Sequence, residues 1–176
     1  LPWFIAIPIV IILTVVLGVF TERFAYRPLR DAPRMSIMIS AIGVSFLLEN
    51  LATYLFTGVP RGFPQLSALA KIVTMGKVSL PMGSLVTPIV TVVLLIILLY
   101  IVNKTKIGMA MRAVSKDFET ARLMGIKIDK VIAITFAIGS FLAAVGGIFW
   151  GTKYPSIYPL MGVMPGLKCF VAAVFG

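Results

Sequence analysis

The sequence predicts an all-α polytopic membrane protein, and three observations carry that prediction. Hydrophobic residues make up 60% of the 176 positions and charged ones only 12%; the mean hydropathy is +1.06. Four runs at roughly 1–21, 35–57, 82–103 and 131–152 are long enough and sufficiently free of charge to cross a bilayer, which takes about 20 apolar residues in helix. The cations gather between these runs. A water-soluble core cannot hide so large an apolar fraction. The net charge of +10 raises the question of nucleic acid, but the cations flank apolar spans and do not cluster with aromatics on a polar domain, so no nucleic-acid partner is expected. With one cysteine and no histidine, neither a disulfide within the chain nor a His/Cys metal site of familiar spacing is expected.

The first run begins at Leu1 and lacks the basic start and cleavage site of a signal peptide, so it reads as a true span. The chain opens and stops inside apolar runs and is expected to be a piece of a longer polypeptide. The loop 21–34 holds Arg23, Arg27, Arg30 and Arg34, and the loop 103–130 holds Lys104, Lys106, Arg112, Lys116, Arg122, Lys127 and Lys130. An excess of Lys and Arg marks both as cytoplasmic, and the two spans between them require the same side. Segment 58–81 then lies outside, as does Lys153 beyond the fourth span. Within 58–81, two short β-prone pieces, 71–74 and 77–80, flank Met75 and Gly76; a small hairpin and an irregular connector are both compatible with them.

On a helical wheel the second span places Ile37, Ala41, Val44, Leu48, Leu51 and Leu55 on one arc, which reads as a lipid face. Ser36, Gly43, Asn50, Tyr54 and Thr57 run along another side, and Ser45, Glu49 and Thr53 form an adjacent stripe at i, i+4, i+8. An ionisable carboxyl in a span is costly and faces a protein interior or a water-filled path by default. Ser45, Glu49, Asn50 and Thr53 are therefore candidates for a translocation path. Glu49 placed near the outer interface, or protonated and bonded to a neighbour for packing alone, fits the same pattern.

The third span is bulky and featureless and is expected to be the most lipid-exposed. In the fourth, Gly139, Ala143, Gly147 and Gly151 recur every four residues, a spacing that lets another helix approach closely; within the chain or across a dimer, it is a packing signal. The last segment, 154–176, mixes Pro155, Pro159, Pro165, Gly162 and Gly166 with an apolar tail and carries Lys168, expected near a helix start. Either a broken element lining a cavity or an external loop leading into a fifth span accounts for it.

The stretch GMAMRAVSKDFETARLMGI, 108–126, has the look of a soluble helical segment in a chain that is otherwise apolar. Ile107, Met111 and Val114 share one helical face and Phe118, Ala121 and Met124 another, so two short helices meet at a break near 115–117. Ser115 or Asp117 caps the second helix, and Gly125 ends it. A helix docking a cytosolic partner and an amphipathic helix on the anionic inner leaflet are both consistent with the pattern.

The run 105–151, with RAVSKDFETARLMGI as its specific motif, resembles the cytoplasmic loop and adjoining helix of the permease subunits of branched-chain amino acid ABC transporters. ERFAYRPLRDAPRMSIMISAIGVSFLLEN at 22–50, RGFP at 61–64 and GLKCFVAAVFG at 166–176 are similar to the H-type permease of the high-affinity leucine/isoleucine/valine system, and the likeness spans essentially the whole chain. The resemblance implies a multi-span ABC importer permease of a prokaryotic inner membrane that works with a second permease subunit, two cytosolic ATP-binding subunits and an extracytoplasmic solute-binding protein. It implies that ATP is hydrolysed on the partners, and the chain contains no GxxxxGK[ST] loop of its own. It implies no catalytic residue and no cofactor here. It also makes 108–126 the coupling helix, with Arg112, Ala113, Asp117, Ala121 and Gly125 at or near the ATPase contact. Related permeases carry urea or amides, which keeps another small polar solute as an alternative. A secondary transporter needs several membrane acids, and only Glu49 qualifies.

Overall fold

The computed structural model describes residues 3–29, 32–63, 72–75 and 78–175. Four of its helices are long and apolar enough to cross a membrane: Phe4–Leu29, Met35–Phe56, Met82–Lys104 and Ile128–Lys153.

Helix α1 (Trp3–Thr21) does not stop where its apolar run stops. It continues into a single π turn, Glu22–Tyr26, in which the Arg27 amide donates to the Glu22 carbonyl, and then a 3-10 turn, Arg27–Leu29. The wider π turn shifts the angular register of the chain beyond it. Tyr26 thereby packs against Phe136, the rings tilted by 43° with centroids 5.2 Å apart, and Glu22 is buried, 4% exposed. Helix α2 (Arg34–Phe56) starts after Pro33 and ends at Thr57, whose φ of +66° reverses the chain.

Outside the helices two small antiparallel ladders form. Strands β2 (Ile72–Met75) and β3 (Val78–Pro81) pair from Ile72–Pro81 to Met75–Val78, which decides for a hairpin in 58–81; its turn residues, Gly76 and Lys77, lie outside the described residues, as does Lys71. Strand β1 (Arg61–Gly62) pairs with β4 (Ser156–Ile157), and the Phe63 amide donates to the Pro155 carbonyl at 2.6 Å. That second ladder ties the connector after α2 to the connector that follows the long helix Ile128–Lys153.

Helix α3 (Met82–Lys104) passes almost without interruption into α4 (Lys106–Lys116). Thr105 makes the joint: its hydroxyl donates to the Ile101 carbonyl at 2.5 Å and accepts from the Gly108 amide at 3.1 Å. The turn is so tight that a Cβ on Gly108 would fall 2.3 Å from the carbonyl oxygens of Ile101 and Val102. Short helix α5 (Phe118–Leu123) comes next, and then the long α6 (Ile128–Lys153). After β4 comes a 3-10 turn, Pro159–Gly162, and α7 (Val163–Phe175). Lys168 sits in the body of α7, not at its start, because the helix already begins at Val163.

Helix α6 is the centre of the packing: α1 lies along one side of it, α3 along another, and α4 and α5 press on its N-terminal end. The α1 contact is close enough that a Cβ on Gly18 would fall 1.7 Å from Ser140 Oγ and 2.7 Å from its Cβ. Ala144, one turn further along α6, is buried. Helix α3 is exposed along most of its length, as is α2, which meets the described chain chiefly at the π turn after α1 and the 3-10 turn before α7. One expectation is corrected here. On α2 the arc read as the lipid face is turned inward over most of its length, since Ile37, Ala41, Val44 and Leu48 are half-buried while Met38, Ile39, Ile42, Phe46 and Leu47 are exposed. Lipid and a neighbouring helix are both apolar, so hydropathy alone does not tell the two faces apart.

Candidate functional site

The segment 105–131 builds a platform on the N-terminal end of α6. Asp117 separates its two helices. Extended at φ −154°, it ends α4 by donating its amide to the Ala113 carbonyl and starts α5 by accepting from the Glu119 amide at 2.9 Å on Oδ1. Its Oδ2 accepts a hydrogen bond from the Thr120 hydroxyl. That hydroxyl first, and the amides of Glu119 and Thr120 next, hold the Asp117 carboxyl below its ordinary pKa by stabilising the charged form. At the far end Gly125 adopts φ +77°, and the Gly125 and Ile126 amides donate to the Arg122 and Ala121 carbonyls, the two-bond pattern of a left-handed helix stop. Ser115 takes no part in the cap; its hydroxyl donates back to the Arg112 carbonyl.

Between the helices lies a small core of Val114, Ala121 and Val131, flanked by Ala110, Met111, Ile126 and Ile128. The apolar stripe of the loop thus finds its partner in the first turn of α6. This arrangement sorts the residues read from the sequence. Arg112, Asp117 and Gly125 are exposed, Ala113 is half-buried, and Ala121, 3% exposed, is inside the core and turned away from any partner. The outward face belongs instead to Phe118, Leu123 and Met124, with Leu123 89% and Met124 78% exposed. The sequence signal for that face existed, since two large apolar residues directly precede the helix stop at Gly125, where nothing local covers them. Helical spacing drew attention to Phe118, Ala121 and Met124 instead.

A second loop reaches the same end of α6. Arg27 Nη2 donates to Asp129 Oδ2 at 2.8 Å, tying the turn after α1 to the first turn of α6.

The remaining sequence candidates fall elsewhere. On α2 the Ser45 hydroxyl donates to Glu49 Oε1 at 3.1 Å, while Thr53 Oγ1 and Asn50 Nδ2 donate to the carbonyls of Glu49 and Phe46. Each of the four is thus engaged within its own helix, with Glu49 half-buried and the others exposed. On α6, Gly139, Ala143 and Gly147 face outward, and a Cβ on Gly139 or Gly147 would meet nothing within 4 Å. Only Gly151 is buried, under the Phe63 ring at 3.5 Å. Packing within the chain therefore runs along Gly18, Ser140 and Ala144, a different face of α6 from the four-residue repeat. Clefts along α6 among the described residues include one of about 480 Å³ against α3, one of about 350 Å³ against α4 and one of about 320 Å³ between α1, α3 and α6. None is lined by Ser45, Glu49, Asn50 or Thr53.

A family model described as branched-chain amino acid transport system / permease component matches residues 1–176. The chain belongs to that family. Among curated relatives, this permease component is 37% identical over 169 residues to the high-affinity branched-chain amino acid transport system permease protein LivH of Salmonella typhimurium, covering 94% of this chain and 55% of the relative. It is 37% identical over 158 residues to LivH of Escherichia coli, covering 88% and 51%, and 34% identical over 169 residues to the corresponding protein BraD of Pseudomonas aeruginosa, covering 94% and 55%. The ribose import permease protein RbsC of Haemophilus influenzae is more distant, 25% identical over 178 residues. The chain spans about half the length of the curated relatives it matches. No solved structure matches it. With four helices among the described residues long and apolar enough to cross a membrane, the chain is part of a multi-pass membrane protein.

Proposed function

We propose that this chain belongs to the membrane-spanning subunit of an ATP-driven importer that moves branched-chain amino acids inward, driven by cytosolic ATP-binding subunits that seat on the α4–α5 platform. A second permease subunit and an extracytoplasmic solute-binding protein complete the assembly. The observation that carries the reading is the exposure of Phe118, Leu123 and Met124 on a helix capped at both ends and backed by a buried core. Large apolar residues held rigidly outward suit a groove in a protein partner, and Arg112, Lys116 and Arg122 around them set register. The names of the relatives support the substrate class.

Mechanistically, closure of the ATP-binding subunits moves α5, and the core of Val114, Ala121 and Val131 makes α6 move with it. Helix α1 is carried along in turn, through Gly18 against Ser140 and Arg27 against Asp129. The ATP-bound partners favour one packing of the bundle over the other only so far as they bind the two packings differently. Ser45, Glu49, Asn50 and Thr53 remain proposed contacts along the path, supported by their polarity within a span.

The test is retention of the co-expressed ATP-binding subunits by the full-length permease in detergent, comparing wild type with Leu123→Asp plus Met124→Asp. Loss of the partners by a variant that still inserts and melts normally is the expected result. Equal retention overturns the docking reading and leaves the platform as a helix pair at the membrane surface.

A further inference from the structure

Between α3 and α6 runs an open crevice of about 480 Å³ whose walls are apolar along most of their length, with Leu94 and Leu98 on one side and Leu142, Val145 and Phe149 on the other. Its two threonines offer no free donor, because Thr87 Oγ1 is spent on the Gly83 carbonyl at 2.7 Å and Thr91 Oγ1 on the Thr87 carbonyl at 2.8 Å. At one end stands Lys153, exposed, with its Nζ 5.6 Å from the Tyr154 ring centroid, beside a Trp150–Tyr154 pair at 4.7 Å. Among the described residues no carboxylate pairs with Lys153.

The dimensions narrow the occupant. The stretch from Thr87 to Leu98 rises roughly 16 Å along α3, close to the roughly 15 Å of hydrocarbon that one leaflet contributes. A single hydrocarbon chain matches the crevice in length and in the apolar character of its walls. The aromatic pair and the lysine sit where a membrane interface places such side chains, with the ammonium at headgroup level.

We propose that the α3–α6 crevice binds an anionic phospholipid from the leaflet at the Lys153 end, one acyl chain lying along Leu94, Leu98, Leu142 and Val145 and the headgroup phosphate on Lys153. An unpaired cation at the edge of a dry groove is complementary to an amphiphile with an anionic head and an apolar tail, and a bilayer supplies that molecule directly. Seated there, the lipid fills the space between the two helices and couples their separation to the composition of the membrane. The site is independent of how the platform at the opposite end is used.

The experiment titrates the purified full-length permease with phosphatidylglycerol, phosphatidylcholine of the same chains and glycerol 3-phosphate, reading bound molecules by native mass spectrometry. The expected result is preferential retention of phosphatidylglycerol and no retention of glycerol 3-phosphate. Lys153→Ala lowers phosphatidylglycerol affinity roughly fivefold, the share of one cation near a lipid surface, and Lys153→Arg keeps it. Gly146→Leu, placed on the crevice wall where an added Cβ meets nothing within 4 Å, weakens both lipids. Equal retention of the two lipids, an unchanged Lys153→Ala, or binding of glycerol 3-phosphate as tight as that of the lipid overturns the proposal. So does a photocrosslinker at Leu95, in native membranes, that captures a polypeptide instead of lipid.

Discussion

Arg27 and Asp129 lie 102 residues apart and meet at 2.8 Å, Nη2 to Oδ2, where the turn after α1 meets the α4–α5 platform. The contact fastens the turn after α1 to the first turn of α6, and two turns further the rings of Tyr26 and Phe136 touch on the same seam. Half-exposed as it is, 48% and 57%, the pair is a weak fastening. Its place, directly beside the Val131 core that holds α4 and α5, makes it a latch between the platform and the bundle.

Because the pair is exposed, Arg27→Ala or Asp129→Ala is expected to lower stability by no more than about 1 kcal/mol. The exchange Arg27→Asp with Asp129→Arg restores part of that loss. Thermal melts of the four proteins at low and high salt check this, and a double-mutant coupling that survives high salt would show the pair to be better shielded than its geometry allows.

The α1–α6 seam is less forgiving. Gly18→Ala drives a methyl group into Ser140, and an overpacked site of this kind costs about 1–3 kcal/mol. Ser140→Gly in the same chain removes the obstacle and is expected to recover most of the loss. Midpoints of unfolding in detergent for the single and double variants measure it; a Gly18→Ala protein as stable as wild type would mean that α1 and α6 stand further apart than described.

Asp117 makes the platform sensitive to acid. Its carboxyl is held below the ordinary value by the Thr120 hydroxyl and the amides of Glu119 and Thr120, so its folded pKa is depressed relative to the unfolded one. Its contribution to stability is therefore complete above the unfolded value, near 4, and is lost as pH falls through the folded value. Protection of the α5 amides, taken relative to the intrinsic exchange rate at each pH, is expected to fall below pH 4 in wild type and to be low at every pH in Asp117→Ala. Asp117→Asn, which still accepts from the Glu119 amide, keeps the protection and loses the acid transition.

Ala121 and Leu123 separate structure from docking. Ala121→Trp has no space in the Val114–Val131 core and is expected to unfold the platform, whereas Leu123→Asp leaves it folded because the side chain is 89% exposed. Protease susceptibility of 105–127 distinguishes the two: cleavage in the first variant alone is the expected outcome, and cleavage in both would place Leu123 in the core.

The sequence by itself determined where the helices are. Water-free hydrocarbon tolerates neither unpaired backbone nor bare charge, so spans must be long, apolar and flanked by cations, and those constraints are written residue by residue. The break in the cytoplasmic loop was equally legible, because Asp117 and Gly125 act on their own neighbours within one turn. What only the tertiary structure decided is which face of each helix meets which neighbour. The repeat of Gly139, Ala143 and Gly147 advertises a packing face, yet α1 packs on Ser140 and Ala144 through Gly18. The arc of Ile37, Ala41, Val44 and Leu48 looks like a lipid face and is turned inward. Ala121 looks like a docking residue and is core, while Leu123 carries the exposed surface. In each case the competing surroundings, lipid, helix or partner, are all apolar, so the hydrophobic pattern is the same for each and the choice falls to contacts between residues far apart in the chain.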